Sequence, residues 1–320
     1  MKHNRLGSAG RRVSELGFGG WAIGGDRFDS AYGPSDDSVS RLAIRKALEL
    51  GVTFFDTADF YGRGHSEALI GSELANFPNR ANVTVATKGG INFYRPGQPP
   101  EVDFTPYAIA NSVEQSRARL RVDKLDLYLL MNPPLEILLE NDRVWETLMA
   151  LKRAGKIAAY GVSVTDADQG VELLKAGILL DAIEVTYNLF YQSAALSLLP
   201  LAKKQRVSII AREPLANGFL ARRASSRSYG PTDHRSWALP EYVEELSTMF
   251  DKLSFLKNDN RTMAQAALRF VLDHPAITVT IPGIRTPEQA TENFAASSLP
   301  PLSDAERLKI HSVFFPEDLP

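Results

Sequence analysis

The sequence predicts an α/β fold, a (β/α)8 or TIM barrel with its site at the C-terminal face beneath long covering loops. Three observations lead there. Eight short runs are almost continuously apolar, as strands buried on both faces must be. A segment with helix signatures follows each run. The polar residues with chemical potential stand where the runs end. A doubly wound sheet is the main rival.

In chain order the runs are LGFGGWA (16–22), TFFDTA (53–58), VTVATKG (83–89), LDLYLLM (125–131), AAYGVSV (158–164), AIEVTYN (182–188), VSIIARE (207–213) and ITVTIPG (277–283). Each is short, and β-branched or aromatic residues recur in them. Thr105-Pro106 supplies an N-cap and a first helical residue, and Ile109, Val113 and Leu120 share one face behind it. Thr286-Pro287-Glu288-Gln289 and Ser303-Asp304-Ala305-Glu306 both have capping-box spacing. The least patterned stretch, 216–239, is rich in Gly, Arg and Ser and reads as a mobile cover over the barrel mouth. No linker composition interrupts the chain, so residues 1–320 are expected to form one domain.

Composition narrows the function. Hydrophobic residues make up 44% and charged residues 23% of the 320, enough for a sizeable core. A net charge of −2 offers no footprint for nucleic acid or an anionic membrane. With no cysteine, disulfides, thiol catalysis and cysteine-ligated metals are excluded. No run of 18 apolar residues occurs, and MKHNRLGSAGRR lacks an apolar signal core, so a cytoplasmic, membrane-free protein is expected.

The strand ends carry Asp56 with nearby Tyr61, Lys88, Met131, Ser163, Glu184 with Tyr187, Arg212-Glu213, and Gly283 with Arg285. An acid, a phenol and an amine from neighbouring strands suit proton transfer to a carbonyl oxygen. The lysine would lower the phenol's pKa, and Asp56 would keep the lysine charged and oriented. Singly, each has a structural explanation as a cap, a solvated charge or a rim residue; together at strand ends they point to a site. Gly17-Phe18-Gly19-Gly20-Trp21-Ala22 fits a dinucleotide fingerprint of doubly wound folds, but the next helix signal comes only near Ser35. The required strand–turn–helix context is missing, and the segment reads as a closely packed barrel strand.

In this order, LGFGGWAIGG (16–25), FDTADFYGRGHSE (55–67), VATKGG (85–90), LDLYLLMNPP (125–134), GKIAAYGVSV (155–164), EVTYNLF (184–190), REPLANGFL (212–220), DHRS (233–236) and IPGIRTPEQATEN (281–293) resemble the aldo-keto reductase family. The resemblance covers nearly the whole chain. It implies an NADPH-dependent oxidoreductase that reduces an aldehyde, ketone or activated carbonyl, with Asp56, Tyr61 and Lys88 as three of four catalytic residues. Tyr61 would give the proton while nicotinamide C4 delivers hydride. Tyr187 would stack on the nicotinamide, and Ser163 and Glu184 would meet its carboxamide end. Trp21, Arg212, Pro214, Leu215, Gly218, Gly283, Arg285, Gln289 and Asn293 would complete the cofactor site.

The segment 281–293 supports an anion site on physical grounds as well. A glycine turn leads into a helix capped by Thr286, whose free N–H groups and dipole favour phosphate. Arg285 adds a fork of donors suited to a 2′-phosphate, favouring NADPH/NADP+. The departure is Met131, which stands where the family usually has its fourth catalytic residue, a histidine. A thioether donates no hydrogen bond. Val164 and Glu184 likewise replace the asparagine and glutamine that relatives often carry. Met131 is either a local swap in an ordinary reductase, its adaptable side chain filling an apolar pocket, or a mark of changed chemistry on an activated carbonyl, a conjugated C=C or a substrate bringing its own donor. Two further alternatives are an NADPH-binding redox sensor with little turnover, and non-redox isomerisation or dehydration in the same pocket. His65, the histidine nearest the catalytic set in sequence, is the candidate stand-in. Phe93, Tyr94, Trp21, Phe190 and Trp237 either line an aromatic substrate pocket or pack under their own loops, and the arginines of 222–227 either clasp the pyrophosphate or are solvated.

Overall fold

The computed structural model describes residues 1–8, 10–26, 31–92, 101–223 and 229–315. A short hairpin, β1 (His3–Leu6) and β2 (Arg11–Ser14), precedes the eight strands of the main sheet. These are β3 (Phe18–Gly19), β4 (Phe54–Asp56), β5 (Thr84–Gly89), β8 (Leu127–Met131), β9 (Tyr160–Ser163), β10 (Ala182–Thr186), β11 (Ser208–Arg212) and β12 (Ile277–Ile281). β6 (Ile91–Asn92) and β7 (Glu101–Val102) form a small antiparallel pair beside β5. Each main strand pairs in parallel with the next in sequence. Parallel bridges Leu16–Thr280 and Gly19–Gly283 join the first strand to the last, so the sheet closes. Closure rules out the doubly wound alternative, which has open edges.

All eight apolar runs contain a strand, and in every case it is shorter than the run. The first is cut hardest, because a 3-10 turn at Trp21–Ile23 bends the chain away after Gly20. Gly19 is needed where β3 meets the loop after β12: a Cβ there would lie 2.7 Å from the Pro282 carbonyl oxygen. The first long helix, Asp37–Glu49, begins well past the glycine cluster, in keeping with a barrel strand at 16–22. Thr105 and Ser303 cap their helices as expected, the latter in a complete capping box. At Thr286 half the box is missing: its hydroxyl accepts from Gln289 N–H, but Gln289 Oε1 turns back to Arg285 N–H (2.8 Å).

Strand alternation sorts the side chains into two cores. Phe55, Val85, Leu130, Val162, Ile183, Ile209 and their like point outward to the helices. Phe54, Ala86, Leu127, Leu129, Ala182, Ile210, Val279 and Ile281 fill the barrel, and Leu6 and Val13 of the hairpin join them. The next inward residue along five strands is then Asp56, Lys88, Met131, Glu184 or Arg212. Inward parity alone thus carries these five to the C-terminal mouth.

Candidate active site

A cavity of about 590 Å³ opens at this mouth, lined by Trp21, Tyr32, Asp56, Phe60, Tyr61, Met131, Asn132, Glu184 and Arg212, among others. It continues past Pro214, Leu215 and Gly218 to Gly283, Arg285, Gln289 and Asn293 at the helix Pro287–Ala295. One elongated space therefore joins the expected chemical and adenine ends.

Lys88 and Ser163 lie buried just beneath the lining. Lys88 donates to Asp56 and to the Thr57 carbonyl (3.1 Å), and its ammonium stands 3.1 Å from the Glu184 carboxylate. Taking an ammonium out of water costs several kcal/mol, which only such close partners offset. Burial works against the Lys88 charge, yet Asp56 and Glu184 outweigh it and hold the group above its usual range. Burial and the Glu184 charge push Asp56 well up, with Lys88 pulling back. Ser163 donates to Glu184 Oε1 (3.1 Å), so its hydroxyl is committed to a carboxylate.

Tyr61 is half-buried, its ring 6.2 Å from that of Trp21 and its centroid 5.3 Å from Lys88 Nζ. The loop carrying it is clamped to β5 by Thr57 N–H to the Ala86 carbonyl and Asp59 N–H to the Lys88 carbonyl, both 2.9 Å. The expectation that Lys88 lowers the phenol's pKa needs correction. Lys88 does pull it down, but burial raises it more and Asp56 and Glu184 reinforce burial, so the net direction is up. The phenol is held in its protonated form at neutral pH.

Tyr187 needs a larger correction. It lies three residues beyond Glu184, on the opposite face of the strand path, and is buried outside the barrel against Phe270 (5.5 Å) and His274 (5.7 Å). It does not line the cavity and cannot stack on a ring bound there. Nor does His65 reach the cavity; its Nε2 meets Asp37 (2.8 Å) in a side chain 39% exposed. Met131 does line the cavity and brings only its thioether there.

Of the remaining expectations, Trp21 lines the cavity, whereas Phe190 packs on the outer core and Trp237 lines a neighbouring cavity of about 520 Å³. Phe93 and Tyr94 lie outside the described residues, as do 224–227 of the arginine-rich segment. Arg222 lines the cavity, and Arg223 pairs with Asp251 (3.0 Å).

Several lining residues escaped the sequence reading. The Tyr32 hydroxyl donates to Asn217 Oδ1 (2.7 Å), and the Arg235 guanidinium sits 4.9 Å from the Tyr32 ring centroid. His234 N–H donates to the Ala31 carbonyl (2.9 Å), and its ring, kept neutral by burial, lies tilted against Trp21 at 4.6 Å. Arg285 donates to the carbonyls of Tyr32 (2.7 Å) and Pro34. These bonds form a strap across the mouth. Ala216 and Asn217 on the loop that meets it adopt left-handed φ, a backbone strain that no motif in the sequence announces.

The residues fit an extended dinucleotide. Arg212 Nε, on a residue that lines the cavity, donates no hydrogen bond within the protein. At Gly283 a Cβ would meet nothing nearer than Ala22 at 3.8 Å, leaving the cavity open beside the helix N-terminus. An acid, a lysine and a phenol at the strand ends of a closed parallel barrel, with this cradle beside them, define a barrel oxidoreductase using a nicotinamide cofactor.

The comparisons with known proteins narrow the class. The model of the Aldo/keto reductase family matches residues 15–313, and the chain belongs to that family. It is 30% identical over 296 residues to aldo-keto reductase YhdN of Bacillus subtilis, covering 90% of this chain and 86% of that one. It is also 30% identical over 322 residues to the NADH-specific methylglyoxal reductase of Escherichia coli, covering 96% of each. Among solved structures, aldo-keto reductase AKR11C1 from Bacillus halodurans, in its holo form, superposes with a TM-score of 0.80 at 27% identity, covering 98% of this chain and 96% of that one. Glycerol dehydrogenase AKR11B4 from Gluconobacter oxydans gives 0.81 at 27% identity, covering 98% and 94%. The protein is an oxidoreductase of carbonyl substrates. Among the described residues no helix is long and apolar enough to cross a membrane, and no cluster of potential metal ligands occurs.

Proposed function

We propose that the chain is an NADP(H)-dependent reductase of small aldehydes, ketones or activated carbonyls, with Tyr61 as proton donor to the substrate oxygen. The observation that carries this reading is the position of Tyr61, a protonated phenol on the cavity wall above the buried Lys88–Asp56 pair. A bound reduced nicotinamide supplies hydride to the carbonyl carbon. The chain's own work is to hold the carbonyl between Tyr61 and the cavity floor and to hand over the phenolic proton as negative charge grows on the oxygen. The Lys88 ammonium then stabilises the phenolate left behind, while Asp56 holds Lys88 in place.

Trp21, Tyr32, Phe60 and Met131 make the surrounding wall largely apolar, which suits a small carbonyl and excludes competing water. With Met131 in place of a second donor, the proton and the field come from Tyr61 and Lys88 alone. Arg285 at the helix N-terminus supports the phosphorylated cofactor, through the N–H groups it has left after bonding Tyr32 and Pro34. The NADH-specific relative makes both cofactors necessary in the test.

That test is stopped-flow oxidation of NADPH and NADH against a carbonyl panel that includes methylglyoxal. Tyr61→Phe is expected to cut the single-turnover rate by roughly 10²–10⁴ while leaving cofactor affinity in place. Undiminished turnover in Tyr61→Phe would remove the phenol from the chemistry. Turnover without net cofactor oxidation would replace reduction with a non-redox reaction.

A further inference from the structure

The cavity floor holds two carboxylates and one ammonium. Asp56 and Glu184 flank Lys88, all three nearly or fully buried, and their formal charges sum to one excess negative charge. The groups around the cluster do not cancel it. From the loop after β4 comes the neutral phenol of Tyr61; from β8, the thioether of Met131; from β9, the Ser163 hydroxyl, 3.1 Å from Glu184 Oε1. From β11 comes Arg212, but its guanidinium is paired with Glu213 (2.6 Å) and bonded to the Val164 carbonyl (3.2 Å). Among the described residues Lys88 is the cation paired with Glu184, through Oε2 at 3.1 Å, and the same ammonium is already bonded to Asp56. A glutamine at 184 would leave Asp56 and Lys88 a balanced pair; the glutamate leaves the floor one proton or one cation short.

We propose that Glu184 makes this floor select the oxidised, cationic nicotinamide over the reduced, neutral one, and that Asp56, facing the Glu184 charge, gives up a proton when the oxidised form binds. The inference rests on the nicotinamide reading above. To place its reactive carbon beside a carbon whose oxygen faces Tyr61, the ring must lie over the floor that Glu184 helps form. A delocalised cation there satisfies the excess charge, whereas a neutral ring does not. In a poorly solvated site one such charge contact changes affinity by about tenfold or more. Without the cation, a proton on Asp56 serves instead, as expected when a second carboxylate charge faces it in a buried site.

The test measures dissociation constants of NADP+, NADPH, NAD+ and NADH for the native protein, Glu184→Gln and Glu184→Asp at pH 8. The expected result is that Glu184→Gln lowers the preference for the oxidised over the reduced form by about tenfold or more, while Glu184→Asp, which keeps the charge, retains most of it. Calorimetry of the native protein in two buffers of different ionisation enthalpy is expected to show proton release with the oxidised form and none with the reduced form. That arm decides the matter even if Glu184→Gln does not fold. Unchanged preference in folded Glu184→Gln, or no proton released by the native protein, overturns the role of Glu184 and leaves the oxidoreductase reading standing. Failure of all four dinucleotides to bind the native protein overturns both.

Discussion

Asp59 offers a test of the loop that carries Tyr61 without touching a catalytic group. Its carboxyl is 1% exposed; Ser112 donates to Oδ2 (2.7 Å), while Oδ1 accepts no hydrogen bond. Burial, reinforced by the charge of Glu67, raises its pKa from 3.8 to about 7. Because this carboxyl is shifted up, the folded protein keeps a proton that the unfolded chain has already lost between those values. Stability from this group therefore falls as pH rises from about 4 to 7, and above 7 the full penalty applies. Three pKa units correspond to about 4 kcal/mol, and relaxation of the site brings a realistic figure to about 2 kcal/mol. An asparagine in its place would keep an acceptor for Ser112 and carry no charge. Asp59→Asn is accordingly expected to raise the melting temperature at pH 8 by about 3–6 °C. At pH 5 the gain should shrink to roughly a third, since most of the wild-type penalty is then relieved by protonation. Thermal unfolding followed by circular dichroism at the two pH values reads this directly. A gain of equal size at both, or a loss at pH 8, would refute a buried, raised carboxyl at this position.

Met131→His is expected to raise single-turnover carbonyl reduction by up to roughly 10²–10³ if the missing donor limits the native site; an unchanged rate would mean that Tyr61 and Lys88 suffice. Lys88→Met should destabilise the fold by about 3–5 kcal/mol in urea unfolding, because it leaves two carboxylates facing each other without their cation. Restored stability in Lys88→Met with Asp56→Asn added would tie that loss to charge, whereas equal loss in the double variant would point to packing. Arg285→Ala should weaken NADPH about tenfold in equilibrium titration while changing NADH much less; equal weakening of both would assign Arg285 to the strap alone.

Much of the barrel was legible because strands buried on both faces need continuous apolar runs, and all eight runs contain one. Their ends were not, since Gly20 and the proline-rich exits stop a strand for local reasons that an apolar run does not register. Asp56, Met131, Glu184 and Arg212 could be placed at the mouth by counting in twos from Phe54, Leu129, Ala182 and Ile210. The same count sends Tyr187 outward, so its expected place on the cofactor conflicted with a periodicity already present in the chain. The strap was beyond reach: Tyr32 with Asn217, and Ala31 with His234, are contacts across about 200 residues. Nothing local specifies them.

The division into two cores has a consequence for how such a molecule changes. Residues that face the helices hold the barrel shut, while those that face the mouth touch mainly one another and whatever occupies the cavity. Met131 and Glu184 belong to neither apolar cluster and line the cavity instead, so the helix-facing layer is built from other residues of the same strands. Structural tolerance and chemical identity are written on alternate residues of the same strands. Reactivity in this chain can be retuned at inward positions such as 131 without a change in the outer layer, whereas the charged positions of the floor answer to one another.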